Sequence, residues 1–256
     1  VVISPSINPL SPKNRDMTEE EKLSILEKHG VPLDKPLITQ VSRLDKWKDP
    51  LGVIASYTFL RQRHDIHSHR LALVYNSATD DPEGAVIEQK VKDALEASPY
   101  KKDILMIIGE DPLLVNALQR HSSIVLQKSL KEGFGLTVTE ALWKGTPVIA
   151  TDAGGITLQV IHGKCGYVVK KYSADHMGNP VDAEDFDRHI VETAEGMKDI
   201  IQNEESARNL GRNGKEHVRN NFLITRHVKD YLELFNELGK AEAADLSQTM
   251  EVELKN

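Results

Sequence analysis

The sequence holds a single cysteine, Cys165, in 256 residues. An internal disulfide is therefore impossible, and so is a cysteine metal cluster. A reducing compartment, the cytoplasm, is the expected setting. No run of about 18 apolar residues occurs, so no membrane-spanning helix is expected. The opening residues, Val1-Val2-Ile3-Ser4-Pro5, lack the basic, apolar and cleavage-site order of a secretory leader. They also lack an initiator Met, and the chain reads as a piece of a longer protein. The nucleophile elbow Gly-x-Ser-x-Gly and the phosphate loop Gly-x-x-x-x-Gly-Lys-Ser/Thr are both missing. The ten histidines show no zinc-protease spacing. His64, His67 and His69 fall together in a helix-to-strand turn, where a solvated cluster is expected rather than a ligand set. Positive charge is in deficit: the formal net charge is -7. That argues against nucleic acid or an anionic membrane as the main partner.

What remains is the composition of an ordinary globular protein, 39% hydrophobic and 28% charged. The length suits one large domain or two small ones. Residues 1–16 carry Pro5, Pro9 and Pro12 and no helical period, which predicts an extended connector. From Pro36 onward short apolar runs recur: Leu37–Ser42, Leu71–Tyr75, Ile104–Ile108, Ile124–Gln127, Pro147–Ala150 and Gly166–Lys170. They are continuous rather than alternating, as parallel strands covered on both faces should be. Amphipathic stripes lie among and after them: Ile87, Val91, Ala94 and Leu95; Ile190, Ala194, Met197 and Ile201; Val228, Tyr231, Leu232, Phe235 and Leu238. The alternation predicts an α/β fold with a doubly wound, Rossmann-like parallel sheet. Residues 1–35 read as connector and first helix, 36–239 as the folded domain, and 171–181 as a loop. From about Lys240 the composition predicts a frayed, disordered tail.

In such sheets ligands sit at the carboxyl ends of the strands. The first strand is followed by Arg43 and Lys48, five residues apart, before a helix expected near Pro50. Two cations beside a helix start suit a diphosphate; on spacing alone a solvated basic loop is the favoured reading. The fourth strand is followed by Glu132-Gly133-Phe134-Gly135-Leu136-Thr137, then Glu140, with a helix beginning near Gly135 or Leu136. The glycines allow close backbone approach, and carboxylates accept sugar and ribose hydroxyls. The alternative makes Glu132 a dipole partner and Glu140 an ordinary exposed helical residue. Gly154-Gly155 follows the fifth strand, as a second close-approach loop or a simple turn. Asp80-Asp81-Pro82-Glu83-Gly84 reads as helix N-capping rather than a metal site.

These segments together resemble the family-4 retaining glycosyltransferases of the GT-B fold. Glu132 and Glu140 fit that family's Glu-x7-Glu signature, Arg43 and Lys48 its diphosphate pair, and Gly154-Gly155 its glycine loop. The trehalose-forming branch is resembled more closely still. That likeness is carried by Pro5 to Asn14, Val41-Ser42-Arg43, Trp47-Lys48, Asp80 to Gly84 and Glu132 to Gly145, and it runs from about residue 3 to 239. Asn8 departs from the usual Asp and Asp49 from the usual Gly; an acidic group at 49 is expected to weaken the local positive field. The loop at 171–181 is longer than expected.

The resemblance implies the C-terminal, donor-binding half of such an enzyme, whose N-terminal domain supplies most of the acceptor site. It implies a nucleotide sugar as ligand, gripped by Arg43 and Lys48. Glu132 would orient the sugar, Glu140 would accept ribose hydroxyls, and the backbone from Gly133 through Phe134 and Gly135 to Leu136 and Thr137 would contact sugar or phosphate. Neither metal nor other cofactor is implied. The helix after Asn221 would cross back toward the N-terminal domain, and a homo-oligomer is compatible with the sequence. Alternatives of a phosphorylase, another hexosyltransferase or a non-catalytic nucleotide-binding module remain open on these residues.

Overall fold

The computed structural model describes residues 2–76, 82–109 and 111–253, with side chains described up to residue 240 except at 82 and 83. Asp80 and Asp81, and with them the expected capping site, lie outside the described residues. After a first helix, α1 (Glu19–Lys28), the strands are β1 (Leu37–Arg43), β2 (Arg70–Asn76), β3 (Ile104–Ile108), β4 (Ser122–Gln127), β5 (Val148–Thr151) and β6 (Gly166–Val169). Between and after them run α2 (Pro50–His64), α3 (Pro82–Ala97), α4 (Pro112–His121), α5 (Leu136–Trp143), the single turn α6 (Ile156–Gln159), α7 (Ala183–Gln202), α8 (Glu204–Asn221) and α9 (Ile224–Glu253). All six strands are parallel, in the order β3-β2-β1-β4-β5-β6. The chain thus reverses its direction of winding between β1 and β4, where an open α/β sheet leaves a crevice at its carboxyl edge.

The continuous apolar runs have a direct cause. Leu71, Leu73 and Tyr75 of β2 pack with Tyr57 and Leu60 of α2, in a cluster that also takes in Met197 of α7. The intervening Ala72 and Val74 belong to a second cluster with Leu26 of α1 and Leu114 and Leu118 of α4. Successive side chains point to opposite faces of a strand, and both faces are buried, so no polar alternation survives. A third cluster holds Val125, Val148 and Ala150 against Val138 and Leu142 of α5 and Val218 of α8.

Several helix starts are written locally. Thr18 caps α1 by accepting from the Glu21 N–H at 3.1 Å, and Asp111 caps α4 from the Leu113 N–H at 2.8 Å. Proline opens α2, α3 and α4, where its missing N–H costs nothing.

Four expectations are corrected. The connector is extended only as far as Ile7 and then folds through turns to residue 15. It is drawn in because Asn116 donates to the carbonyls of Pro12 and Arg15, both at 2.9 Å. The histidines of the α2–β2 turn are not a solvated cluster: His69 is buried beside Ser123 at 3.1 Å, and His64 meets Glu195 of α7 at 3.0 Å. The helical backbone does not stop at Lys240. The α9 helix runs on to Glu253, through Ala241, Glu242, Ala243 and Ala244, all good helix formers. Asp49, finally, does not face the basic loop. It turns inward at φ 49°, lies buried, and caps α2 by accepting from the Gly52 N–H at 3.0 Å.

Candidate functional site

The carboxyl end of β1 leads into Arg43 and then a tight 3-10 turn, Lys46–Lys48, capped by Asp45, which accepts from the Trp47 N–H at 2.8 Å. The Gln40 amide holds the Lys48 carbonyl at 2.9 Å, and the Leu130 N–H donates to the Trp47 carbonyl at 2.8 Å. The latter bond ties this turn to the loop after β4, where Lys131 lies 3.5 Å over the Trp47 ring. The two strand-end loops are therefore one unit.

Within that unit Lys48 Nζ reaches Glu132 Oε2 at 2.6 Å, with both side chains largely shielded. The same oxygen accepts from Ser129 Oγ at 3.2 Å and Gln127 Nε2 at 3.3 Å. Oε1 accepts from the Gly133 N–H at 3.1 Å. Arg43 behaves differently. Its side chain is 74% exposed and, among the described residues, meets the neighbouring Asp45 at 3.3 Å. A long, solvated arginine at the mouth of a cleft is free to swing onto an anion.

Gly135, at φ 84°, caps α5 in a conformation that glycine reaches without strain. Leu136 and Thr137 open the helix, and its first N–H groups have no intrahelical acceptor. One turn on, Glu140 is buried, against the alternative of an ordinary surface residue. Burial pushes its carboxyl above the usual range, while Lys13 and Lys144 oppose that rise. Lys13 Nζ lies 3.6 Å from Glu140 Oε1. Lys144 donates to the Glu140 carbonyl at 3.1 Å and to Asn14 Oδ1 at 3.0 Å, and burial draws its ammonium down.

The structure brings the candidates together: Arg43, Lys48, Glu132, Phe134, Gly135, Leu136, Thr137 and Glu140 line one open cleft, with Gly133 in the same loop. Lys13 and Gln127 line it too. Sequence reasoning missed both. Lys13 arrives from a connector with no periodicity to place it, and Gln127 is hidden inside a strand. A second hollow shares Lys13, Val41, Ser42, Arg43 and Thr137 and extends over the ends of β2 and β3 to Asn76 and Asp111. A separate, mostly apolar hollow between loop 171–181 and α2 holds none of the candidates.

Gly154-Gly155 makes close approaches, though to protein. At φ 52°, Gly154 sits so tightly under the Glu132 carbonyl that a Cβ would overlap it, and a Cβ on Gly155 would strike Phe134. The Gly155 N–H donates to the Gly133 carbonyl at 2.8 Å. The pair therefore packs the Glu132 loop. Among the described residues no group of three or more His, Cys, Asp or Glu is placed to hold a metal ion, and no helix is long and apolar enough to cross a membrane.

Comparison with known proteins agrees with this architecture. Residues 21–183 match the family model described as glycosyl transferases group 1. A trehalose synthase of Pyrococcus horikoshii is 40% identical over 93% of this chain and 53% of its own length. A trehalose phosphorylase of Pleurotus pulmonarius is 38% identical over 51% of this chain and 19% of its own. Among solved structures, sucrose-phosphate synthase of Thermosynechococcus elongatus superposes with a TM-score of 0.71 at 23% identity, covering 93% of this chain and 52% of that one. Anabaena HepE in complex with UDP-glucose gives 0.69 at 17% identity, covering 86% and 54%. The chain spans about half the length of the trehalose synthases it matches. With well over half of its residues inside the family model, and such identity along nearly its whole length, the chain belongs to the group 1 glycosyltransferases.

Proposed function

We propose that the chain is the donor-binding half of a retaining glucosyltransferase that moves glucose from a nucleoside-diphosphate glucose to free glucose, forming trehalose. The observation that carries the reading is the Lys48–Glu132 pair, set in one cleft with Arg43 and Glu140 at the sheet's switch point. A diphosphate entering the cleft meets Lys48, the exposed Arg43 and the open N–H groups of α5. Glu140 accepts ribose hydroxyls in place of Lys13, and the hollow toward Asn76 and Asp111 takes the base. Glu132, with the backbone from Gly133 to Leu136, faces the sugar. Charge-assisted hydrogen bonds to the leaving diphosphate strengthen as charge develops, so they serve rate as well as affinity. The bond from the anomeric carbon to the diphosphate oxygen breaks, its electron pair leaving with the diphosphate; the acceptor oxygen bonds to the same face, and its proton passes to the departing diphosphate. In this reading the positive charge comes from the two side chains, and neither metal nor other cofactor is invoked. The trehalose synthases among the relatives support the choice of product.

The acceptor site and a cytoplasmic N-terminal domain complete the enzyme in this reading. The apolar face of α9, with Val228, Leu232, Phe235 and Leu238 all exposed, is the surface such a domain would cover. A second reading has a specific support, the match to trehalose phosphorylases. There inorganic phosphate, held by the same cations, attacks trehalose. The test incubates the complete protein with nucleotide-glucose and a panel of acceptors, and separately with trehalose and phosphate, and identifies products by NMR. The α,α-1,1-linked disaccharide from the first mixture is expected. Glucose 1-phosphate from the second alone would favour the phosphorylase, and transfer only to a lipid or polysaccharide would overturn both. The present chain by itself should bind a nucleoside diphosphate in calorimetry and transfer no glucose.

A further inference from the structure

Glu132 Oε2 collects three donors, and they are not equivalent. Lys48 Nζ is the nearest, at 2.6 Å. On the reading above Lys48 is also a diphosphate ligand, so a bound donor draws its charge away from the carboxylate. Ser129 Oγ at 3.2 Å and Gln127 Nε2 at 3.3 Å carry no charge and have no such second task. Gln127 Nε2 also donates to Ser129 Oγ at 2.8 Å, so the amide both touches Glu132 and orients the hydroxyl that touches it.

The relay is rigidly mounted. Gln127 is 2% exposed and Ser129 fully buried, at the end of β4. Thr151 Oγ1 on the adjacent β5 donates to the Ser129 carbonyl and, at 3.5 Å, to that of Gln127. Gln127 Oε1 is buried with no hydrogen-bond partner among the described residues. Every side-chain hydrogen bond that this amide makes there points toward the Ser129–Glu132 pair. Turning the amide over would set Oε1 against the carboxylate, oxygen to oxygen, and Ser129 could then donate to Oε1 only by giving up its own bond to Glu132. A buried amide that leaves its own acceptor unsatisfied is a costly element, and its return lies in where it holds Glu132.

We propose that Gln127 is a positioning residue for the donor sugar: directly and through Ser129, it keeps the Glu132 carboxylate oriented while Lys48 is engaged with the diphosphate. The proposal rests on the donor-site reading. Its consequence is selective, because Gln127 acts on recognition of the sugar and leaves recognition of the nucleoside diphosphate alone.

The test uses Gln127→Met, which keeps the length of the side chain and removes its donors, and Ser129→Ala, which removes the hydroxyl. Calorimetry on this chain compares UDP with UDP-glucose and ADP with ADP-glucose. In both variants affinity for the free diphosphate should stay within twofold of wild type, while affinity for the matching sugar nucleotide falls fivefold or more. In the complete protein kcat should fall at least fivefold, with inhibition by the free diphosphate unchanged. An unaltered ratio of sugar-nucleotide to diphosphate affinity in both variants overturns the proposal. So does an equal loss of both ligands, which would mark Gln127 and Ser129 as merely structural. Failure of the wild-type chain to bind any of the four ligands overturns the donor-site reading itself, a result distinct from the other two.

Discussion

Lys48 and Asp49 are adjacent, opposite in charge and turned to opposite sides of the chain. Lys48 faces the cleft. Asp49 accepts from Tyr172 Oη at 2.8 Å and lies 3.4 Å from His189 Nε2 and 3.7 Å from Lys128 Nζ, all buried. Burial pushes the Lys128 ammonium down to about 8, against the opposing pull of Asp49. The acid expected to weaken the positive field of the basic loop thus acts as the inner anchor of α2. With Lys48 left as the shielded cation and Arg43 as the solvated one, Arg43→Ala and Lys48→Ala in the complete protein should each lower kcat/KM at least tenfold, about 1.4 kcal/mol. Near-native kinetics in both would remove the two cations from the donor site. His69 supplies a different residue-scale prediction. Burial holds its imidazole down at about 4, below the unfolded value near 6.5. A group depressed in this way stabilises the fold above the unfolded value and loses that contribution as pH falls through the folded one. Up to about 3 kcal/mol should therefore disappear between pH 6.5 and 4. Urea midpoints at pH 7 and pH 4.5 should drop further for wild type than for His69→Gln; parallel drops would show that His69 carries no such linkage.

At the scale of elements, each strand is legible to within two residues because both faces are apolar, and Pro50 and Gly135 mark the starts of α2 and α5 through their own backbone chemistry. The acidic and basic candidates were legible as types, since they follow those strands. Their pairings were not. That Lys48 meets Glu132, that Lys13 meets Glu140 and that Asp49 turns inward are set by contacts far apart in sequence and by one left-handed backbone angle, which no local pattern encodes. Gly154-Gly155 is the clearest instance, a turn by its sequence and a packing surface in the fold. Gly154→Ala should push the β5–α6 loop off the Glu132 carbonyl and strain a positive φ, so it should lower the melting temperature and weaken sugar-nucleotide binding together. A Gly154→Ala chain that melts and binds like wild type would remove the loop from this account.

For the molecule as a whole, α9 carries an apolar face that its own domain leaves uncovered, with Leu232 63% and Phe235 61% exposed. Leu232→Glu and Phe235→Glu should therefore change the stability of this chain by no more than about 0.5 kcal/mol. In the complete protein each should lower the melting temperature measurably. A large loss in the isolated chain would mean that the face is already occupied by its own domain. The other end of the sequence is held where α9 begins: the Ile7 N–H donates to the Phe222 carbonyl at 2.9 Å, and the Ile224 N–H returns to the Ile7 carbonyl at 3.0 Å. Arg226 and His227 close on the Ser4 carbonyl, at 2.7 and 3.0 Å. On a ribosome these partners emerge at opposite ends of the job. At about 5–20 residues per second, tens of seconds pass after Ile7 is made before Phe222 exists to receive it. For that interval the segment around Ser4 to Ile7 must wait without its seat, and the latch between it and the start of α9 cannot close until the whole sheet has been made.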